Sequence, residues 1–162
     1  MEKVIIELFS IVGLAIKTTN AEGQGAKDIA LLWQKFMAEK ILEKIPNKAD
    51  NTIYSIYTDY EGDYTKPYIT LLGCKVKNLD EVPEGMVGRL FQGGNYIKTT
   101  ARGDLSKGLI INEWSRIWNM DIDRAYTADF EVFGDKAQNP VDAEIDFLIA
   151  VKSFGEMKTG NG

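Results

Sequence analysis

The sequence predicts an α+β fold of two duplicated βαββ modules related by a pseudo-twofold axis, with helices on one side of an antiparallel sheet and a central ligand cleft. The first observation is that the element order strand, helix, strand, strand occurs twice. The second is that Trp33 and Trp114, one in each predicted helix, lie 81 positions apart, which is half of the 162 residues. The third is a predicted strand at 56–61 that combines acidic and aromatic residues, a combination that recurs at 124–133. We expect the cleft to lie between these two copies.

The first half begins with residues 4–19, whose β-branched side chains predict an extended stretch with a bend near residues 10–13. Residues 26–44 carry apolar side chains at helical spacing and predict the most regular helix of the chain. Residues 52–61 and 68–76 predict two strands that pair as a hairpin.

The second half follows a polar connection at residues 78–85, which contains a proline and a glycine. Residues 86–100 return to strand character, and residues 106–119 place apolar side chains along one stripe of a helix. Residues 126–133 and 143–151 predict the closing strand pair. The two acidic and aromatic motifs are 70 positions apart instead of 81, so we expect a longer helix-to-strand connection in the first half.

The length of 162 residues and the hydrophobic content of 44% are sufficient to bury a core. We expect a single domain over residues 1–153, with half-modules of about 1–79 and 80–153, and a flexible tail at 154–162. The sequence contains no apolar run of about eighteen residues, so we expect no membrane-spanning segment. The apolar start at 4–16 lacks the basic region and cleavage site of a signal peptide.

Charge and residue usage narrow the function classes. The net charge is −5 with a pI near 4.9, and the basic residues are scattered, so direct nucleic-acid binding is not expected. The single cysteine, Cys74, excludes an intramolecular disulfide, favours a cytoplasmic location and fits a buried small hydrophobe in a strand. Histidine is absent, which removes the commonest general base and metal ligand, and we predict no catalytic residue, metal site or cofactor.

A carboxylate inside an aromatic strand is the main candidate for a binding site. Alternation along residues 124–133 places Asp129, Glu131 and Phe133 on one face and Phe130 and Val132 on the other. A carboxylate that faces a closed apolar core needs a partner, whereas in a half-open cleft a ligand cation supplies that partner. On the residues alone, a solvated strand position for the glutamate remains open.

These segments together resemble the effector-binding domains of the gyrase-inhibitor-like superfamily. Within that superfamily the sequence is similar to stand-alone integron-cassette proteins and to the C-terminal ligand-binding domains of AraC-type activators. The matching pieces are residues 29–36, 57–61, 73–76, 83–85, 114–118 and 126–131, with Tyr96 before Gly103. Their order and spacing carry the resemblance, because no single piece is diagnostic.

The resemblance implies two βαββ modules around a pseudo-dyad and a concave aromatic cleft that takes amphipathic, frequently cationic compounds. In multidrug-responsive members a glutamate in the penultimate strand pairs with the ligand charge, and Glu131 matches that position. The chain is too short to include an attached DNA-binding domain, so we expect any regulatory role to act through a separate protein partner.

Aromatic residues that could form the walls of such a cleft are Tyr57, Tyr60, Trp114, Trp118 and Phe147. Trp114 and Trp118 are also compatible with plain core positions, since they are i,i+4 neighbours on an apolar stripe. Tyr57 and Tyr60 differ by an odd number of positions, so in a regular strand at most one faces the cleft.

The leading hypothesis for function is a stand-alone module that senses or sequesters an amphipathic cation without chemical turnover. A second hypothesis is a glutamate-dependent hydrolase of reactive natural products, with Glu131 as general base. A third is an acidic protein that inhibits a larger enzyme by binding to it. We expect a small cationic ligand as partner, and neither nucleic acid nor membrane.

Overall fold

Eight antiparallel strands form one sheet in the computed structural model, which describes residues 1–154. The strands are β1 (Glu2–Ile6), β2 (Phe9–Thr18), β3 (Ile53–Thr58), β4 (Tyr68–Val76), β5 (Val87–Phe91), β6 (Gly94–Gly103), β7 (Ala128–Phe133) and β8 (Ala143–Ala150). The helices are α1 (Gln24–Ala38), α2 (Ile41–Lys44) and α3 (Leu109–Trp118). The predicted tail at 154–162 lies outside the described residues, apart from its first position.

The strand order β1-β6-β8-β7-β3-β4-β2-β5 has a pseudo-twofold centre between β7 and β3. On either side of this centre β8 corresponds to β4, β6 to β2 and β1 to β5. The first strand of each half is exchanged, since β1 pairs with β6 of the other half and β5 pairs with β2. The α+β class and the duplication are therefore confirmed, with one more strand in each half than predicted.

The spacing of the repeat differs from the one expected. The strand pair β1–β2 recurs as β5–β6 after 85 residues, and β3 recurs as β7 after 75 residues. The difference is the short α2 and its turns, which confirms a longer helix-to-strand connection in the first half. At 85 residues the counterpart of Trp33 is Trp118, so the proposed match of Trp33 with Trp114 is wrong.

The repeated acidic motif is also not a structural repeat. At the spacing of 75 residues Asp129 corresponds to Tyr54, and Asp59 lies beyond the end of β3. Asp59 has a φ of 51° and forms an exposed ion pair with Arg89 at 2.9 Å. The duplication is real, but the two acidic segments resemble each other by coincidence of composition.

The bend predicted in the N-terminal stretch lies at another position, and Gly13 has a different role. The chain bends at Glu7 and Leu8, between β1 and β2, and not at residues 10–13. Gly13 lies inside β2 directly opposite Gly73 of β4, and a Cβ on either glycine would overlap the backbone of the other strand. Gly13 therefore serves a close approach of two strands. A similar break at Gly93, with φ of 76°, divides the strand predicted over 86–100 into β5 and β6.

The helix predicted over residues 26–44 consists of two helices. α1 ends at Ala38, and Lys40 adopts a left-handed conformation with φ of 52° before α2 begins. Hydrophobic periodicity continues through this break because Ile41 is still buried in the core. Periodicity reports burial and not backbone continuity, which explains the error.

The two faces of the sheet carry different cores. The helix-covered face has two clusters. The cluster under α1 includes Leu32, Phe36, Leu72 and Cys74. The cluster under α3 includes Trp114, Ile117, Ile145 and Phe147. The opposite face has a cluster built from strands and adjoining loop residues, including Phe9, Tyr54, Phe91, Tyr96 and Phe130. Cys74 is fully buried, as expected, and burial raises its thiol pKa to about 11.

Candidate ligand-binding cavity

A cavity of about 800 Å³ opens on the helix-covered face, between α1 and α3 and above the central strands β3 and β7. Its position is the seam between the two halves, above the pseudo-twofold centre of the sheet. Most of its lining side chains are aromatic or aliphatic, including Ile29, Trp33, Tyr57, Tyr60, Tyr64, Tyr68, Ile110, Trp114, Trp118 and Phe133. The charged residues in the lining are Glu131 and Arg124.

Glu131 lies on β7 at the floor of the cavity and is 2% exposed. Tyr57 donates a hydrogen bond to its Oε2 at 2.8 Å, and the indole Nε1 of Trp114 donates to the same oxygen at 2.6 Å. Within residues 1–154 no ion pair involves Glu131. Its charge is thus held by two neutral donors and is not cancelled by a cation.

Burial raises the pKa of Glu131 to about 7, and the hydrogen bonds from Trp114 and Tyr57 oppose that rise. Burial and the neighbouring glutamate raise the pKa of Tyr57 well above 10, so Tyr57 remains a neutral donor. The hydroxyl of Ser55 donates to the Tyr57 oxygen at 3.1 Å and orients the phenol. The site therefore contains one group that titrates near neutrality.

Trp114 is positioned by two perpendicular ring contacts. Its ring lies 5.6 Å from Tyr57 at 89° and 5.6 Å from Phe147 at 72°. Phe147 is directly opposite Glu131 in the β7–β8 register, is fully buried and does not line the cavity. It thus packs behind the wall that Trp114 forms, and its predicted contact with a ligand remains a prediction.

Both tyrosines of the first hairpin line the cavity, so the expectation that at most one would do so is wrong. The reason is that β3 ends at Thr58 and Asp59 turns the backbone with a φ of 51°, which breaks the alternation. Tyr60 then returns to the same side as Tyr57 and donates a hydrogen bond to Asp129 Oδ2 at 2.6 Å.

Trp118 forms an aromatic wall with a residue that the sequence did not identify. Its ring stacks on Tyr64 at 4.9 Å with an interplanar angle of 9°. Tyr64 lies in the connection between β3 and β4, for which the sequence predicted only that it joins the two strands of a hairpin. Trp114 lies 6.5 Å from Trp118, so the three rings form one continuous surface.

Sequence reasoning also missed Arg124 and Trp33. Arg124 is 8% exposed and donates through Nη2 to Asp129 Oδ2 at 2.7 Å. Trp33 on α1 contacts Phe133 at 4.8 Å and closes the opposite side of the cavity. The available signal for Arg124 was its position just before the aromatic and acidic strand, and for Trp33 its position on the apolar stripe of α1.

Two negative observations apply to residues 1–154. No group of three or more Cys, Asp or Glu side chains in this range is placed to hold a metal ion. None of the helices in the same range has the length and apolar character needed to cross a membrane.

Comparisons with known proteins identify similar chains over nearly the whole length. The family model described as integron-associated effector binding protein matches residues 4–151. An integron cassette protein from the mobile metagenome of Vibrio cholerae has a solved structure that is 25% identical, with a TM-score of 0.74, over 93% of this chain and 95% of that one.

Two further proteins are similar over nearly the whole chain. The Bacillus subtilis protein YobU, named as a candidate transcriptional regulator, is 24% identical over 151 residues, which are 91% of this chain and 94% of YobU. The structure of SAV2435 bound to tetraphenylphosphonium has a TM-score of 0.78 and 14% identity, over 94% of each chain. At that identity the second likeness shows the fold.

Proposed function

This chain belongs to the family of integron-associated effector binding proteins, and from that premise we propose that it binds an amphipathic organic cation in the cavity between α1 and α3. The observation that carries the proposal is Glu131, a buried carboxylate that accepts two hydrogen bonds from neutral donors and pairs with no cation within residues 1–154. An apolar cavity around such a group favours a ligand that is both hydrophobic and positively charged.

The aromatic residues supply the second part of the selectivity. Trp114, Trp118, Tyr57 and Tyr60 line the cavity around Glu131, and we propose that they contact the ligand. A cation over such a ring gains about 0.5–2 kcal/mol, and apolar ligand surface adds about 25 cal/mol per Å² buried. Large flat cations are therefore favoured over small ones such as metal ions.

The charge contribution is larger than the contribution of any one ring. Two unit charges about 4 Å apart gain on the order of 4 kcal/mol at an effective dielectric near 20, before desolvation is subtracted. After the costs of ordering the ligand, affinity near 1 µM, or about −8 kcal/mol, is the expected range. Loss of the charge alone should weaken a cation by about 10- to 100-fold.

The test is a titration, followed by tryptophan fluorescence and calorimetry, of the wild type and Glu131→Gln with a cation and a neutral analogue. Tetraphenylphosphonium, the compound bound to SAV2435, is the cation, and triphenylphosphine oxide is the neutral analogue. Glutamine keeps the shape and still accepts the hydrogen bonds from Tyr57 and Trp114. We expect the substitution to weaken the cation alone. An equal loss for both compounds would refute the electrostatic role.

We propose that the complex forms without turnover, as the family description of effector binding favours. Tyr57 stays protonated and no second titrating side chain contacts Glu131 within residues 1–154, so a general-base role lacks an acid partner. Mass spectrometry of the recovered ligand tests this point, because time-dependent product that disappears in Glu131→Gln would favour the hydrolase hypothesis.

We further propose that ligand occupancy is read by a separate protein, which gives the module a sensing role. The name of YobU supports a link to transcription for that relative. Pull-down with and without tetraphenylphosphonium distinguishes this role from that of an acidic inhibitor. A partner that binds in a ligand-dependent way fits sensing, whereas salt-sensitive binding that ignores the ligand fits the inhibitor.

A further inference from the structure

Arg124 has more hydrogen-bond donors than the described residues satisfy. A guanidinium carries five N–H groups, and the described residues provide an acceptor for Nη2 alone, at Asp129. Nε and Nη1 are buried and have no hydrogen-bond partner within residues 1–154. Buried donors of this kind are rare and point to a group that is bound in the working protein.

Aromatic contacts do not remove this deficit. The guanidinium carbon of Arg124 lies 4.3 Å from the centre of the Tyr126 ring and 6.0 Å from that of Trp114. Stacked rings stabilise the charge through the flat face of the guanidinium. The N–H groups lie in its plane and still need oxygen or nitrogen acceptors.

A second cavity is available beside this group. It has a volume of about 420 Å³, and its lining includes Arg124, Tyr126 and Lys152. Tyr64, Trp118 and Arg124 line both this side cavity and the larger one. Trp114 is close to both charged groups, since its indole donates a hydrogen bond to Glu131 and its ring faces Arg124. One ligand of moderate size can therefore reach both charged groups.

The chemistry around Arg124 differs from that around Glu131. Asp129 is fully buried and already neutralises the guanidinium, with Oδ2 also accepting from Tyr60 and Oδ1 from the Ala150 amide. The pair as a whole has no net charge but retains free donors. Such a site takes a neutral hydrogen-bond acceptor in preference to an anion, because a further negative charge would face Asp129.

We propose that Arg124 and the side cavity form a second subsite that takes a neutral acceptor, such as a carbonyl, amide or ether oxygen, on the same ligand whose cation lies at Glu131. This inference rests on the proposed function and restricts the class of ligand that the cavity prefers. The preferred ligand is a cation with an oxygen-bearing arm, and tetraphenylphosphonium would occupy only half of the site.

Tyr126 lines the side cavity next to the guanidinium of Arg124. This residue has a φ of 55°, in the left-handed region that costs a non-glycine residue on the order of 1 kcal/mol or more, and its ring covers Arg124. Strain of this kind is typical of residues at ligand sites.

The test compares two cations that differ in one group. The 4-benzoylbenzyl and 4-benzylbenzyl derivatives of triphenylphosphonium carry a ketone and a methylene, respectively, at the same position. We expect the ketone to bind the wild type about 10-fold more tightly, since hydrogen bonds to a charged donor are the stronger class. Equal affinities, with both cations still dependent on Glu131, would overturn the subsite and leave the proposed function intact. If neither compound binds, the subsite falls, and the proposed function falls with it only if tetraphenylphosphonium also fails to bind.

Variants assign the ketone preference to Arg124. The double substitution Arg124→Leu with Asp129→Asn removes both charges of the buried pair together and leaves an amide for Tyr60 and Ala150. It should bring the ketone and the methylene compound to equal affinity. Arg102→Leu with Asp142→Asn, which removes an exposed ion pair outside both cavities, is the matched control and should keep the preference. A preference that survives the substitution of Arg124 and Asp129 contradicts the assignment, and so does its loss in the control variant.

Discussion

Cation binding should depend on pH through Glu131, and the structure sets the pH range. Burial raises the pKa of this carboxyl to about 7 in the empty cavity. A phosphonium cation carries no proton of its own and pairs with the ionised carboxylate. The ligand must therefore displace a proton at any pH below the pKa, and its apparent affinity falls as the pH is lowered.

The magnitude follows from the ionised fraction. At about pH 8 most of the Glu131 side chains are charged, and further increase in pH should change little. At about pH 5.5 only about 3% are charged, and the neutral side chain should bind the cation about 10- to 100-fold more weakly. Affinity for tetraphenylphosphonium should therefore be about 8- to 25-fold weaker than at high pH. Tyr57 and Tyr68 face the same carboxylate, but burial raises the pKa of each, so neither titrates in this range.

Calorimetry in buffers of different ionisation enthalpy measures this linkage directly. Near pH 6 the complex should release about 0.4–0.8 proton per ligand, and near pH 8 about 0.1. Glu131→Gln serves as the control and should bind weakly at every pH without proton release. A wild-type affinity that stays constant from about pH 5.5 to 8 would refute the reasoning.

Three further outcomes follow from the same contacts. Trp114→Phe removes the indole hydrogen bond that holds the Glu131 pKa down, so the pH midpoint of cation binding should rise by about one unit in the same titration. Glu131→Gln should not change stability near pH 3, where the wild-type carboxyl is protonated in both states. Near pH 8 it should raise the free energy of unfolding in urea by up to about 3 kcal/mol, because ionisation of Glu131 destabilises the wild-type fold as the pH rises from about 4.5 to about 7. Gly73→Ala should lower the free energy of unfolding by about 3 kcal/mol or more, since its Cβ would overlap the backbone of Val12, whereas Gly134→Ala, whose Cβ meets only ordinary contacts, should change it by less than about 1 kcal/mol.

Local patterns in the sequence were sufficient to predict much of the fold. Apolar spacing predicted the cores of α1 and α3, and the β3–β4 hairpin pairs as expected. Alternation along β7 placed Asp129 and Glu131 on one face and Phe130 on the other, as the hydrogen bonds and core clusters confirm. Each of these inferences depends on neighbours within one or two elements, where periodicity is informative.

Features that depend on distant pairing could not be predicted. The exchange of β1 and β5 between the halves places strands next to partners about 75 to 95 residues away, and no local pattern specifies it. The left-handed Asp59 and Tyr126 are not glycines, so the turns that bring Tyr60 and Arg124 to the cavity had no signal in composition. The burial of Glu131 could be argued only through a cleft, which the tertiary arrangement of the two helices creates.

A crystal structure of the complex with tetraphenylphosphonium tests the central claim most directly. The account predicts the phosphorus in the cavity between α1 and α3, with Glu131 as the nearest carboxylate and phenyl rings against Trp114 and Tyr57. A ligand bound elsewhere on the protein, or bound in this cavity with its charge nearer to another acidic residue than to Glu131, would contradict it.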